Sequence, residues 1–200
     1  AHSKLSIEER SKVKARQGVE LVSSGEVRVV DENGDEVSAD GETLGEITVR
    51  GNVVMAGYYN DLNATEAAIR DGWFFSGDAA IVHPDGYIEI RDRFKDVIIS
   101  GGENISSVEL EGCLLTHPAV QEVAVVGMPH EKWGESPHAF VVLKEGSEAT
   151  EESLKFHVRD RLAHFKTPQM ISFVEDLPKT ATGKVQKYVL RKSAPGIVRQ

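Results

Sequence analysis

A dense run of charged residues near the middle of the chain separates two parts with different sequence patterns. The run is Arg91-Asp92-Arg93-Phe94-Lys95-Asp96, and runs of this kind mark boundaries between packed elements. Short alternating segments separated by turn residues precede it, whereas strand-like and helix-like segments follow one another after it. We therefore predict an α+β chain with two domains, residues 1–94 and 95–200.

The first part is predicted to be rich in β-sheet. Strand patterns occur at Glu26–Val30 and Glu46–Arg50, and Pro84-Asp85-Gly86 predicts a hairpin between residues 79–82 and 87–90. Two short helices complete this part. One covers residues 7–17 behind a capping box that begins at Ser6, and the other is capped by Asn63 and ends at Asp71-Gly72.

The second part is predicted to be a small α+β domain in which helices pack on one face of a mixed sheet. Its elements follow the order β-α-β-β-α-β. They are a strand at 97–99, a helix capped by Ser106 with Glu109 as part of the cap, strands at 120–126 and 138–143, a helix capped by Thr150, and a strand at 171–174.

Composition excludes several classes of function. The formal net charge of −9 argues against binding of nucleic acid or of an anionic membrane surface, and no apolar run approaches the ~18 residues that a membrane span needs. Cys113 is the only cysteine, so an internal disulfide and a cysteine-rich metal site are excluded. It lies in an apolar helical pattern that predicts a buried structural thiol. We expect a reducing compartment, the cytoplasm, and no metal ligands in this chain.

A loop near the C-terminus carries a candidate catalytic lysine. Residues 178–187 begin with Pro178 and continue with small hydroxyl residues and Gly183, a composition typical of an exposed, flexible loop. Lys184 could place a compact positive charge where negative charge develops, although by itself the loop also fits a solvated turn. A Walker phosphate loop is excluded, because Pro178 stands in place of the first glycine and Val185 in place of the magnesium-binding hydroxyl residue.

Five motifs in order resemble the adenylate-forming, or AMP-binding, acyl-CoA synthetase superfamily. The similarity runs from near residue 5 to near residue 192 and is greatest to the plant and bacterial acyl-activating enzymes. The motifs are Gly57-Tyr58-Tyr59, Gly72–Asp78, Gly86–Asp96, Gly101–Ile105 and the loop that carries Lys184.

The resemblance implies an acid–CoA ligase. Members of the family use ATP to convert a small carboxylic acid into an acyl-adenylate and pyrophosphate, with Mg²⁺, and then transfer the acyl group to the thiol of coenzyme A. The first part would be a distorted β-barrel-like subdomain, the C-terminal part of the large AMP-binding domain. The second part would be the small mobile domain. A homo-oligomer is compatible with the full-length protein.

The resemblance also assigns roles to individual residues. Lys184 corresponds to the lysine that contacts the α-phosphate and the substrate carboxylate during adenylation. Asp78 and Arg93 correspond to the residues that bind the ribose, for which a carboxylate and a guanidinium offer suitable acceptors and donors. Lys95 corresponds to the hinge about which the small domain rotates between the two half-reactions.

A second group of residues is implied to lie near coenzyme A. The loop of Gly101, Gly102 and Glu103 would approach the pantetheine, since glycines let backbone come close to a thin ligand. The residues expected near the rest of the cofactor are Trp133, Phe165 and Lys166. Some relatives carry basic residues where Thr167 and Gln169 stand, so Lys166 alone is left to contact the nucleotide phosphates.

The chain departs from the family by what it lacks. It contains neither the Ser/Thr/Gly-rich loop that holds ATP phosphates nor the aromatic-Gly-x-Thr-Glu segment associated with adenine and Mg²⁺. Because these motifs are missing, we expect a C-terminal fragment that is inactive without its N-terminal region. The start at Ala-His-Ser, without an initiator methionine, is compatible with a processed or excised chain. Two alternatives stay open: another adenylate-forming enzyme, such as a carrier-protein acyl-AMP ligase or a luciferase-like enzyme, and a binding module without catalysis.

Overall fold

The computed structural model describes residues 6, 10, 13, 14, 16, 18–20 and 25–193 of the 200. The chain forms two compact units, Ala1–Lys95 and Asp96–Gln200, and both are of the predicted α+β class. Most of the helix predicted over residues 7–17 lies outside the described residues. None of the helices found in the described ranges is long and apolar enough to cross a membrane.

The first unit is built on a curled antiparallel sheet with a long central strand. Strand β4 pairs with β2 along one edge, while β3 and β5 pair with opposite ends of its other edge. β1 pairs with the free edge of β2. The strands are β1 Glu26–Val30, β2 Gly45–Arg50, β3 Ile69–Arg70, β4 Trp73–Val82 and β5 Ile88–Arg93. The predicted strands and the hairpin between β4 and β5 are confirmed.

The helix of the first unit begins and ends earlier than predicted. Helix α1 spans Leu62–Ala68, and its N-cap is Asp61 instead of Asn63. The Asp61 carboxylate accepts a hydrogen bond of 2.9 Å from the Ala64 backbone N–H, which occupies the cap. The helix ends at Ala68 because the following residue, Ile69, enters β3 and pairs with β4.

The second unit is organised around a long antiparallel strand pair. β8 and β9 pair over ten positions, β10 runs parallel to β9, and β6 meets β9 at Ser100 opposite Gly134. The predicted mixed sheet is therefore confirmed. The strands are β6 Ile98–Ser100, β7 Glu103–Ile105, β8 Val120–His130, β9 Gly134–Leu143 and β10 Met170–Phe173. The sequence analysis did not predict β7.

Two capped helices cover one face of this sheet. They are α2 Ser107–Leu115 and α3 Glu151–Arg159. Ser106 caps α2 as predicted, and Thr150 caps α3 with Ser153 completing a capping box. Leu110 and Leu154 of these helices pack in one buried cluster with Val125 and Val141 of the sheet.

The opposite face of the sheet is also buried, so the prediction of helices on one face is incomplete. A second buried cluster contains Val126 and Phe140 of the sheet together with Leu177 and Leu190 from the C-terminal part of the chain. Leu190 belongs to helix α4, Lys187–Ser193, which the sequence analysis did not predict. Alternate residues of β8 and β9 point to opposite faces, and both sets are apolar because both faces are covered.

Truncation of Leu190 is expected to destabilise the second unit. The side chain is 4% exposed, and Leu190→Ala should lower the free energy of unfolding by about 2–4 kcal/mol because it leaves a cavity in the second cluster. Chemical denaturation of the chain measures this. The matched change Tyr188→Ala, at a 56% exposed position of the same helix, should cost less than about 1 kcal/mol, and equal losses would contradict the assignment.

Acidification is expected to weaken the second unit through His138. The His138 imidazole shares one hydrogen bond with the Ser172 hydroxyl. Burial lowers the pKa of His138 from 6.5, and the nearby Glu151 carboxylate opposes this shift only in part. As the pH falls below 6.5 the unfolded chain takes up the proton first, so stability is full above that value and is lost below it.

Denaturation measured between pH 7.5 and pH 5 tests this expectation. His138→Gln should flatten the pH dependence without abolishing it, since burial also lowers the pKa of His157. An unchanged slope in that variant would show that His138 does not carry the effect.

Candidate active site

Lys184 lies at the exposed tip of a hydrogen-bonded hairpin, which we call the lysine hairpin and define as residues 178–186. Lys179 bridges to Val185, and the Thr180 backbone N–H donates to the Lys184 carbonyl oxygen at 2.8 Å. The Thr180 hydroxyl oxygen accepts from the Lys184 N–H at 3.1 Å, and Gly183 adopts a φ of +84°. The segment is exposed as predicted, and hydrogen bonds hold its backbone in a turn.

Both ends of the lysine hairpin are anchored. Leu177 before it and Leu190 after it are buried in the second cluster. The Lys179 ammonium lies 2.7 Å from Glu122 and 3.3 Å from Asp176, and these hydrogen bonds raise its pKa. By contrast, the Lys184 ammonium makes no ion pair with any described residue. The hairpin therefore presents one unengaged cation at a defined position.

Asp78 and Arg93 face each other on adjacent strands of the first unit. They are register partners in β4 and β5, and the Arg93 guanidinium lies 3.1 Å from the Asp78 carboxylate. The same guanidinium nitrogen donates to the Ser76 carbonyl oxygen at 2.9 Å. Asp78 is thus part of a strand, and the sheet register brings the two residues predicted to bind ribose together. Lys95 is exposed and lies in the 3-10 turn Phe94–Asp96.

Gly101 and Gly102 form the two-residue turn between β6 and β7. Their φ angles are +61° and +90°, and two positive values in succession are what a tight hairpin turn of this kind requires of glycine. Trp133 supports the turn from behind. Its carbonyl oxygen accepts from the Gly101 N–H at 2.9 Å, and a Cβ at Gly101 would lie 2.8 Å from the Trp133 ring. In β6, just before the turn, the Ile99 N–H donates to the Glu135 carboxylate at 3.2 Å.

A cavity of about 340 Å³ lies beside this turn within the second unit. It brings together four of the residues predicted to lie near coenzyme A, namely Gly101, Glu103, Trp133 and Phe165. Gly102 and Lys166 do not line it. The Lys166 ammonium instead lies 2.6 Å from the Glu109 carboxylate, and both side chains are largely covered. The Glu109 carboxylate, which the sequence analysis assigned to the helix cap, is therefore the ion-pair partner of Lys166.

The cavity also contains basic residues that the sequence analysis missed. Arg159 and His164 line it, and Lys155 lines it while bound to Glu151 and to the Gln169 carbonyl oxygen. Arg159 is exposed and, within the described part of the chain, forms no ion pair. The sequence feature that could have predicted a basic residue here was the pair of basic residues in the last turn of α3, His157 and Arg159. The cavity thus offers aromatic surface, a glycine turn and an uncompensated guanidinium.

Comparison with known proteins identifies the family. Residues 109–184 match the model of the AMP-binding enzyme C-terminal domain. A 4-hydroxybutyrate–CoA ligase 2 of Metallosphaera sedula is 53% identical over 190 residues, which are 95% of this chain and 34% of the relative. A probable acyl-activating enzyme 6 of Arabidopsis thaliana is 52% identical over 189 residues, covering 93% of this chain and 34% of the relative. The chain therefore spans about a third of the length of these relatives.

Solved structures agree with this match. The o-succinylbenzoate-CoA synthetase of Bacillus subtilis, in complex with its acyl-adenylate intermediate, is 35% identical with a TM-score of 0.80 and covers 94% of this chain and 37% of that one. An amide bond synthetase of Marinactinospora thermotolerans is 33% identical with a TM-score of 0.81, covering 92% of this chain and 37% of that one. Since the match extends over nearly the whole chain in both sequence and structure, the chain belongs to the AMP-binding enzyme family and contains its C-terminal domain.

Proposed function

We propose that the chain is the C-terminal portion of an ATP-dependent acid–CoA ligase, which forms an acyl-adenylate and then an acyl-CoA thioester. The observation that carries this proposal is the high identity to CoA ligases along almost all of the chain. The first unit would complete the large AMP-binding domain, and the second would be the small domain that moves between half-reactions. The ATP phosphate loop, the Mg²⁺ ligands and the pocket for the carboxylic acid would lie in the rest of the protein.

Lys184 is the proposed catalytic residue of the adenylation step. In that step a carboxylate oxygen attacks the α-phosphorus and pyrophosphate leaves, so two anions must approach each other. A cation fixed where their charges meet lowers the barrier, and it does so best when it needs no reorganisation at the moment of reaction. The anchored hairpin and the unengaged ammonium of Lys184 supply both conditions.

Asp78 and Arg93 are proposed to bind the ribose of the nucleotide. The Arg93 guanidinium uses one Nη1 nitrogen for Asp78 and Ser76, and a guanidinium carries further N–H donors in the same plane. The Asp78 carboxylate has acceptor capacity beyond this one contact. Asp78 and Arg93 could therefore hold two ribose hydroxyls while their ion pair stays intact. The ion pair orients both side chains.

The cavity of the second unit is proposed to bind part of coenzyme A. The Gly101-Gly102 turn would lie along the pantetheine, Trp133 and Phe165 would offer apolar surface, and Arg159 would contact a phosphate. Because Lys166 is bound to Glu109, we assign the phosphate contact to Arg159 instead. Lys95 is proposed as the hinge that lets Lys184 leave and the glycine turn approach.

A second candidate keeps the adenylation step and changes the acceptor. One similar structure belongs to an amide bond synthetase, so the fold of this portion is compatible with an acceptor other than coenzyme A, such as an amine or a carrier-protein thiol. Consumption of coenzyme A by the full-length protein distinguishes the two. For the compartment we propose the cytoplasm, and localisation of the full-length protein tests it against the peroxisome named for one Arabidopsis relative.

Removal of the Lys184 charge is expected to stop adenylation. In the full-length protein, Lys184→Ala should reduce acid-dependent pyrophosphate release about 100-fold or more, because one fixed electrostatic contact to the transition state is lost. Lys184→Arg should retain part of the rate. Thr182→Ala, at the same hairpin tip and without a change of charge, is the matched control. Unimpaired pyrophosphate release in Lys184→Ala would refute the assignment.

Removal of the Arg159 guanidinium is expected to weaken binding of coenzyme A. Arg159→Ala should raise the KM for coenzyme A about fivefold, the size of an exposed charged contact, and leave pyrophosphate release unchanged. Arg161→Ala is the matched control, since Arg161 is bound to Asp160 and to the His157 carbonyl oxygen and does not line the cavity. Equal effects of the two substitutions would argue against a phosphate contact at Arg159.

A further inference from the structure

Helix α4 directly follows the lysine hairpin, without an intervening flexible segment. The Gln186 N–H donates to the Pro178 carbonyl oxygen at 2.7 Å and closes the hairpin, and the helix begins at the next residue, Lys187. The Val189 N–H donates to the Gln186 carbonyl oxygen at 2.9 Å. The orientation of α4 on the sheet therefore determines where the hairpin directs Lys184.

Two ion pairs hold one side of this helix. The Lys187 ammonium lies 2.7 Å from Glu111 and donates to the Ser107 hydroxyl at 2.6 Å, so it is bound to two successive turns of α2. The Arg191 guanidinium, four residues later, lies 2.5 Å from the Asp96 carboxylate. The side chains of Lys187 and Glu111 are only 15% and 18% exposed, so water competes little for the pair.

The apolar contact of α4 does not by itself fix the rotation of the helix. Leu190 is its buried apolar residue in the second cluster, and a single apolar contact is not directional. Charged hydrogen bonds are directional, and two of them four residues apart lie on the same face of a helix. Together with Leu190 they define three points of attachment, which fix both the position and the rotation of α4.

We propose that Lys187 and Arg191 are positioning residues for Lys184. The catalytic meaning of this role rests on the proposed function. The partner of Arg191, Asp96, immediately follows the proposed hinge residue Lys95. The Arg191–Asp96 pair therefore joins the first residue of the second unit to the helix that carries the lysine hairpin. Through this ion pair, a rotation that begins at residue 95 would be transmitted to α4 and so to the hairpin that carries Lys184.

The first test is hydrogen exchange in the full-length protein. Lys187→Met should make the Thr180 and Gln186 amides exchange about tenfold faster, and the amides of the β8–β9 ladder should be unchanged, because only the local anchoring is lost. Lys187→Arg should restore slow exchange. Lys192→Met, on the same helix at an exposed position, is the matched control. Arg191→Gln is a second variant that decides the question if Lys187→Met fails to fold.

The second test separates the two half-reactions. Lys187→Met and Arg191→Gln should each lower the kcat of pyrophosphate release about tenfold with little change in the KM for ATP. Thioester formation from a supplied acyl-adenylate should be retained. Unchanged exchange at the hairpin, loosening of the whole second unit, or faster exchange without loss of kcat would each overturn the inference. If the wild-type protein released no pyrophosphate with any acid, the proposed function would fail, while the exchange measurement alone would still decide whether the two residues position the hairpin.

Discussion

Burial of the β8–β9 strand pair on both faces is the constraint on which the second unit depends. Val125 and Val141 pack under α2 and α3, while Val126 and Phe140 pack against the C-terminal part of the chain. A slip of one residue in the pairing would exchange the two sets, so the register is strongly specified. The glycine turn is supported by the segment that joins these strands, and the lysine hairpin rests on their second face. One strand pair therefore positions both proposed functional loops.

The basic residues of the second unit differ mainly in whether a carboxylate holds them. Lys166, Lys179 and Lys187 are each bound to an acidic partner and so hold parts of the fold together. Lys184 and Arg159 have no such partner among the described residues, and their charge is available to a ligand. The charge of a lysine thus stabilises the fold where a carboxylate lies within about 4 Å of its ammonium, and it is available to a ligand where no carboxylate does.

Features that depend on local physics were predictable. The caps at Ser106 and Thr150, the turn at Gly101-Gly102 and the hairpin between β4 and β5 each follow from a few neighbouring residues. The helix cap at Asp61 was missed because two polar residues close together, Asp61 and Asn63, can both serve as caps. Pairing of Ile69 in β3 settled where the helix ends. The short strand β7 and helix α4 were missed because neither has enough residues for a periodic pattern, and tertiary contacts stabilise them instead.

By itself, the sequence determined the α+β class, the order of most elements and the motifs that identify the family. Through the resemblance of those motifs to the family, it also indicated the candidate residues Lys184, Asp78 and Arg93, because motifs are read from neighbouring residues in the chain. Only the tertiary structure decided that Lys166 is bound to Glu109, that Arg159 lines the cavity and that the lysine hairpin is anchored at both ends. These are contacts between residues distant in sequence, and burial and charge pairing at such distances depend on how the sheet and helices pack.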